Sequence, residues 1–527
     1  MARFIPYNYD QTSMVIINYR DQLQPGTFEH AIHFLIHSKL DLSVFNPTYH
    51  NDDNGRLAYD PAILLSIILF GYSKGITSSR ELQWCCETNI IFKALSCDVV
   101  PHFTTIAAFV SGHANEIEAL FEQILLICHE QGLLGNELFA IDGCKMPSDA
   151  AKEWSGTFKE LEAKRDKIKR LITHHVTTHQ RLDESDTAED QRKTRAEQAI
   201  ETLTTAHDKI DQFLKSEEPR EGKGKKAKGK KAKEVKSNIT DNESAKMKTN
   251  KGTIQGYNGV ASVDKKHQVI IDAQTFGEGQ EHHTLKPVLE AVTDRFNRLG
   301  ISENIYQDGI IVTADTGFAN EANMKYLHES NINAYIPDNQ FRRRDPKFKE
   351  QHETYGKRHQ KPKKDRQKEI IPASDFDFDP IAMTCDCPSG NHLSLRRVSE
   401  VDSGSPTAYF EGKLLQCRHC PIKHQCMHNP ASADHRKGKG RQVSFALNDQ
   451  RKPTHTDWMK HRVDSAKGKQ IYGHRMSVVE PVFGNIGTNL KLSRFSLRTK
   501  EKVQGQWRLF CIVHNLGKLA RYGSMSV

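Results

Sequence analysis

Three carboxylates carry the chemistry most readily seen in this chain. Asp142 ends the apolar run Glu137-Leu-Phe-Ala-Ile-Asp142 and is followed by Gly143, the pattern of a short strand that stops at a carboxylate. Asp315 ends Ile310-Ile-Val-Thr-Ala-Asp315 in the same way. One aspartate at a strand end is an ordinary turn former. Two at strand ends that a fold lays side by side offer hard oxygen donors to a divalent cation. Glu480 lies in Tyr472-Gly-His-Arg475-Met-Ser-Val-Val-Glu480-Pro-Val-Phe483-Gly-Asn-Ile486. Tyr472, Arg475, Val479, Phe483 and Ile486 recur at steps of three and four and so share one helical face, with Glu480 at its flank. Pro481 has no backbone donor, which predicts a kink that re-aims Glu480. A plain surface helix with a buried stripe would give the same periodicity without the arginine and the acid.

A second constellation is made of cysteines. Cys417-Arg-His-Cys420-Pro has the C-x2-C ligand spacing of zinc ribbons, and Cys426 follows it. Cys385-x-Cys387 is one residue too tight for the usual knuckle, so the preferred set is Cys387, Cys417, Cys420 and Cys426, with Cys385 left over. Four such thiolates would hold a structural Zn²⁺ tetrahedrally; free thiols on a small β module are the alternative. The other six cysteines, Cys85, Cys86, Cys97, Cys128, Cys144 and Cys511, are scattered, and a total of 11 implies no disulfide framework.

The elements that must position these residues follow from length and patterning. A chain of 527 residues exceeds one core and suggests roughly three or four modules. No stretch approaches the roughly 18 to 20 apolar residues of a spanning helix, which excludes an integral membrane protein. The start MARFIPYNYDQ has no basic segment leading into an apolar run, so no cleaved secretory signal is expected. The net charge of +9 is uneven. Residues 220–236 hold nine Lys or Arg against two Glu, and residues 342–368 hold twelve against four acids, leaving a slightly acidic remainder. Such blocks bind polyanions by displacing condensed counterions, or serve as solvated linkers.

Residues 28–50 and 60–130 read as helices. Asp60-Pro61 opens one of them, Ser78 and Glu81 fit a capping box, and Thr104 or Thr105 caps the helix before Ile106. These short helices suit either a helix-turn-helix-like module or a plain scaffold. Residues 157–216 read as a charged helical hairpin. The segments TIQGYNGVASVD and HQVIIDAQTF then form a β-hairpin turning at Lys265-Lys266, followed by helix 284–299, the strand ending at Asp315, helix 320–329 and the strand AYIPD. Without the helical hairpin, the order strand, strand, strand, helix, strand, helix, strand is the succession of a ribonuclease H-like mixed α/β core, which brings Asp142 and Asp315 to one edge. The fold class expected is α+β. Residues 1–130 form a helical domain, 131–156 and 251–340 the two parts of the core, and 157–250 the hairpin insertion with its Lys-rich linker. Residues 341–465 form a basic and Cys-rich insertion, and 466–527 the C-terminal helix and tail. Trp154 and Trp458 read as packed indoles before DNA wedges.

Nearly the whole chain resembles the bacterial insertion-sequence transposases of the DDE type, in the branch with a Tyr-Arg-Glu-Lys signature helix and an InsH-like N-terminal domain. The resemblance rests on Arg56-Leu-Ala-Tyr59-Asp-Pro61, Gly75-Ile-x3-Arg80-Glu-Leu82 and Pro101-x3-Thr105-Ile-x2-Phe109. It rests further on Ala140-Ile-Asp142-Gly, Ala314-Asp315-Thr-Gly317-Phe318, Val479-Glu480-Pro-Val-Phe483, Cys417-x2-Cys420-Pro, and Gly505, Trp507, Asn515 and Leu516 in the tail. Two features depart from the signature. Four residues rather than three separate Arg475 from Glu480, and Gly487 stands where the lysine belongs, with Lys491 one turn later as the substitute.

The resemblance implies two-metal phosphoryl transfer: Asp142, Asp315 and Glu480 holding two Mg²⁺ ions, with Mn²⁺ as a substitute, about 3.5–4 Å apart. Water would cut the element's end, and the freed 3′-hydroxyl would attack target DNA. Tyr472 would meet a distorted base, and Arg475 and Lys491 the phosphate backbone. Arg80 would lie among the helices that read the ends. The partners implied are double-stranded DNA, both element ends and target, and a second copy in a homodimer on DNA, with no membrane. The setting implied is the bacterial cytoplasm at the nucleoid. A DNA-binding repressor derived from such an enzyme, and a metal-dependent nuclease that never joins strands, are the alternatives.

Overall fold

The structure is a computed structural model that describes residues 16–49, 57–183, 190–222, 234–250, 252–348, 370–380, 382–399, 406–447 and 454–524. The lysine run 223–233 and residues 349–368 of the second basic block lie outside the described residues. The chain divides into two compact units, one of residues 1–337 with 466–527, the other of residues 338–465.

The first unit begins with short helices. Asp60 accepts the Ala62 N–H at 2.8 Å and Pro61 takes the first helical position, so helix Pro61–Ser73 starts sharply, and ten of its 13 residues are buried. The expected capping box at Ser78 does not form. Helix Ser79–Thr88 starts on backbone alone, with the Ser78 carbonyl accepting from Leu82 N at 2.9 Å. Nor does a threonine cap helix Phe103–Gly112. Its first free donors are already taken by His102 Nδ1, which accepts from Thr104 N at 3.4 Å, and by Gln83 Oε1, which accepts from Phe103 N at 2.8 Å.

The main sheet has strands β1 (Leu138–Pro147), β2 (Ala245–Thr249), β3 (Gly252–Asp264), β4 (Ile270–Phe276), β5 (Ile311–Ala314) and β6 (Ala334–Tyr335). Its order is β2-β3-β1-β5-β6, with β4 also on β3; β1, β5 and β6 run parallel and the other pairs are antiparallel. Gly143 does not end β1. The long β3 pairs with it from Phe139↔Asp264 to Pro147↔Gly256, and at Gly143 a Cβ would stand 2.8 Å from Asn258 Oδ1, so the position needs a glycine within the strand. The parallel ladder to β5 does stop at Ile141↔Ala314. Asp142 and Asp315 are therefore each the first residue beyond that ladder.

The helical hairpin, Phe158–Asp183 and Asp190–Ser216, closes over Leu161, Ile168, Ile210 and Phe213, and a two-residue ribbon, Ser155–Gly156 with Ser237–Asn238, forms its base. Helix Lys500–Tyr522 ties the N-terminal helices to the sheet. Tyr72 stacks on Phe510 with centroids 4.6 Å apart, the fully buried Trp507 donates to Val260 O at 3.1 Å, and Asn515 pairs with both backbone groups of Ile270 at 2.8 Å. Buried Arg295 joins Asp272 of β4 to Glu118 of helix Ala114–Glu130, and Arg508 reaches the same Glu118.

The second unit is an antiparallel sheet of β7 (Asp377–Asp379), β8 (Thr384–Asp386), β9 (His392–Ser399), β10 (Thr407–Glu411) and β11 (Gln442–Ala446), in the order β11-β10-β9-β8-β7. Arg344 clamps the two ends of this unit, bonding Asp338 at 3.0 Å and Asp464 at 2.7 Å. No described helix is long and apolar enough to cross a membrane, and all 11 cysteines are free.

Candidate active site

The parallel pairing of β1 with β5 places Asp142 and Asp315 at the same edge of the sheet. Helix Ala466–Gly484 packs across that edge, burying Ile471, Arg475, Val478, Val479 and Val482. Arg475 reaches between the aspartates, with Nη1 2.8 Å from Asp142 Oδ2 and Nη2 3.8 Å from Asp315 Oδ1. Its side chain is 7% exposed, and Asp142 and Asp315 are 20% and 40% exposed. Burial raises the pKa of Asp142 against the pull of the Arg475 charge. For Arg475, burial works against the charge, but Asp142, Tyr472 and Asp315 more than offset it and its pKa rises. The guanidinium lies 5.8 Å from the ring of half-buried Tyr472. A cation is thus built into the carboxylate pair.

Pro481 does not end this helix. It leaves the carbonyl of Ser477 without its helical donor, and Gln268 Nε2 fills the place at 3.0 Å. Gln268 is held by His514, whose Nε2 meets its backbone carbonyl at 2.9 Å, while His514 Nδ1 meets Asn485 at 3.1 Å. Complete burial lowers the pKa of His514 to about 4, so this strut is neutral.

Glu480 is exposed. Five residues beyond Arg475, it projects about 140° around the helix from it, and the structure does not bring it to the aspartates. The carboxylate that does come near is Glu281, which sequence patterning missed. Burial raises its pKa, Lys145 at 3.3 Å pulls it down, and the charges of Asp142 and Asp315 push it up again. Gly317, two residues after Asp315, makes the room: any side chain there would strike Glu281 Oε2. Asn323 fixes this arrangement by donating to His282 O at 2.8 Å and Phe318 O at 2.7 Å. The signal available in sequence was the glycine beside the aspartate, which marks a close approach without saying by what.

Lys491 adopts φ +57° and lies over the turn at Gly75, where a Cβ would be 2.7 Å from its Cδ. Arg80 is exposed with its guanidinium 4.8 Å over the Phe103 ring. Trp154 and Trp458 are half-buried, under Lys164 at 4.0 Å and Arg462 at 5.2 Å. In the second unit Cys385 and Cys426 are buried in one apolar core with Phe376, Leu393 and Phe410, and Cys426 also lines a cavity with Cys387, Cys417 and Cys420, which Cys385 does not. As the side chains stand, no three His, Cys, Asp or Glu residues among those described converge on a point that could hold a metal ion.

Comparison with known families gives two matches. Residues 17–112 match a transposase domain family (DUF772), and residues 386–520 match the transposase DDE domain family. The second match contains the cavity cysteines, Arg475, Glu480 and the C-terminal helix; Asp142 and Asp315 lie outside it. No curated protein and no solved structure matches the chain.

Proposed function

The two family matches support a DDE-type insertion-sequence transposase, and from that premise we propose that the chain cuts DNA at the ends of a mobile element and joins them to target DNA at Asp142 and Asp315. The observation that carries this reading is the placement of two aspartates just beyond one parallel ladder with a single buried cationic side chain between them. The strand order supports reading the sheet as a ribonuclease H-like core, with residues 1–130 as the end-binding domain and 341–465 as an insertion within it.

The donors fit a hard divalent cation such as Mg²⁺ or Mn²⁺, because both are carboxylates and already share one positive charge. When bound, such ions activate the attacking oxygen and stabilise the leaving one. Asp142 and Asp315 would hold them, and Glu480, which lies on the helix that crosses the sheet edge but faces away from the pair here, is proposed as the third ligand. Glu281 would keep Lys145 beside the site. Arg475 would exchange its carboxylates for a DNA phosphate, so that its charge follows the substrate instead of opposing the ion. Tyr472 would orient that guanidinium through its ring face. The exposed Arg80 and Lys491 are proposed backbone contacts. A homodimer on two element ends, acting in the cytoplasm at the nucleoid, completes the reading.

The test is an oligonucleotide assay with candidate terminal repeats, scored separately for cleavage and for joining. Metal-dependent cleavage with joining supports the transposase reading. Cleavage without joining makes the chain a nuclease, and sequence-specific binding without cleavage makes it a repressor.

A further inference from the structure

The second unit contains a cluster that the phosphoryl-transfer chemistry does not use. Cys387, Cys417, Cys420 and Cys426 come from three separate segments and line a single small cavity. The segments are shaped to present sulfur. Cys387 begins the turn between β8 and β9, where its N–H donates to Asn391 O at 2.9 Å, its carbonyl accepts from Gly390 at 2.8 Å with Gly390 at φ +73°, and its sulfur accepts the Asn391 N–H at 3.3 Å. Cys417 stands in helix Leu414–Arg418 with its sulfur 3.5 Å from the Arg441 N–H donor. Gly412 and Gly440 crowd that sulfur so closely that a Cβ would lie 2.8 or 3.1 Å from it. Ser389 Oγ, in the first turn, touches Cys420 Sγ at 3.3 Å and couples the two halves of the cluster.

Core packing accounts for only part of this arrangement. Cys426 is buried in the same apolar cluster as Cys385, and Cys387 packs against it, but Cys385 stays out of the cavity, whereas Cys387 and Cys426 also line it. Two of the four sulfurs that line the cavity, those of Cys387 and Cys417, accept backbone N–H donors, as sulfurs that carry negative charge require. Lys413, Lys423 and Arg441 line the same cavity and would offset that charge, and Arg441 Nε is buried without a partner.

We propose that Cys387, Cys417, Cys420 and Cys426 bind one structural Zn²⁺ that holds the second unit together. The sulfurs ring the cavity rather than meet at its centre, so binding draws them in to Zn–S distances of ~2.3 Å and releases the thiol protons. Four sulfur ligands close the coordination sphere, which makes the ion structural. The proposal is independent of the catalytic reading, because none of its ligands belongs to the first unit.

The test uses the full chain purified without chelator. Elemental analysis should find about one zinc per chain, retained in Asp142→Asn and Cys385→Ser and reduced more than tenfold in Cys417→Ser and Cys420→Ser at equal free zinc. Exchange with Co²⁺ in the wild-type protein should give the intense thiolate-to-cobalt charge-transfer absorption of a tetrahedral sulfur site, a readout that does not depend on any variant folding. Metal-free protein with unchanged circular dichroism, iron in place of zinc, a weak octahedral cobalt spectrum, or zinc loss in Cys385→Ser equal to that in Cys420→Ser would each overturn the proposal.

Discussion

The aspartate pair and the thiol ring are both places where this chain gathers groups that want a cation, and they are built differently. At the sheet edge the charge is already balanced by the side chain of Arg475, and Asp315 remains 40% exposed. In the second unit four sulfurs line one small cavity together with Lys413, Lys423 and Arg441. Hard carboxylates that already share a side-chain cation suit a labile divalent ion; four soft thiolate donors suit one that stays.

The largest effect that would break this contrast lies at the aspartates. Asp142→Asn or Asp315→Asn should lower metal-dependent cleavage by at least roughly a thousandfold, since the stabilisation lost is several kcal/mol, while DNA retention in a gel-shift assay stays close to wild type. Cleavage within tenfold of wild type in either variant would remove the pair from the chemistry. The third acid gives the next largest effect. Glu480→Gln should cost on the order of a hundredfold and Glu281→Gln about tenfold through Lys145; the reverse order would make Glu281 the ligand and leave Glu480 a surface residue. A smaller effect sharpens the idea of the movable counter-charge. Arg475→Gln should tighten Mn²⁺ binding in calorimetry several-fold, because a competing cation is gone, yet slow cleavage about tenfold. Weaker Mn²⁺ binding would show that Arg475 organises the aspartates instead of standing in for an ion.

What the sequence disclosed, and what it did not, follows from the range of each interaction. The alternation and length of the strands gave their order, and the carboxylates beyond Ile141 and Ala314 could be named from local pattern alone. The extension of β1 past Gly143 could not, because it depends on a long partner strand and on Asn258 more than a hundred residues away. Strand β2 was hidden by its lysines, which alternate with buried Ala245 and Met247 at the sheet edge. Glu281 was hidden for a similar reason: it sits in a short polar run before two histidines, and only the folded contact with Gly317 gives it meaning. Local chemistry at Pro481 removes a helical donor, and only the fold discloses that Gln268 supplies another to the carbonyl of Ser477.

That replacement leads to the smallest expected effect on catalysis, and one confined to the first unit. His514 is completely buried, supports Gln268 and has its pKa lowered to about 4, while an unfolded histidine titrates near 6.5. Between these values the unfolded chain binds a proton that the folded chain refuses, so the stability His514 contributes is intact above about pH 6.5 and is lost as pH falls toward about 4. The full difference is on the order of 3 kcal/mol. Denaturant melts of the first unit, followed by Trp507 fluorescence, should therefore lose midpoint steadily over that window. His514→Gln, which replaces the ring N–H with an amide donor next to Gln268 but cannot take up the proton, should flatten the loss while leaving cleavage at pH 8 within about twofold of wild type. An unchanged slope in the variant would place the acid sensitivity at other groups and leave the strut beneath helix Ala466–Gly484 without a role in it.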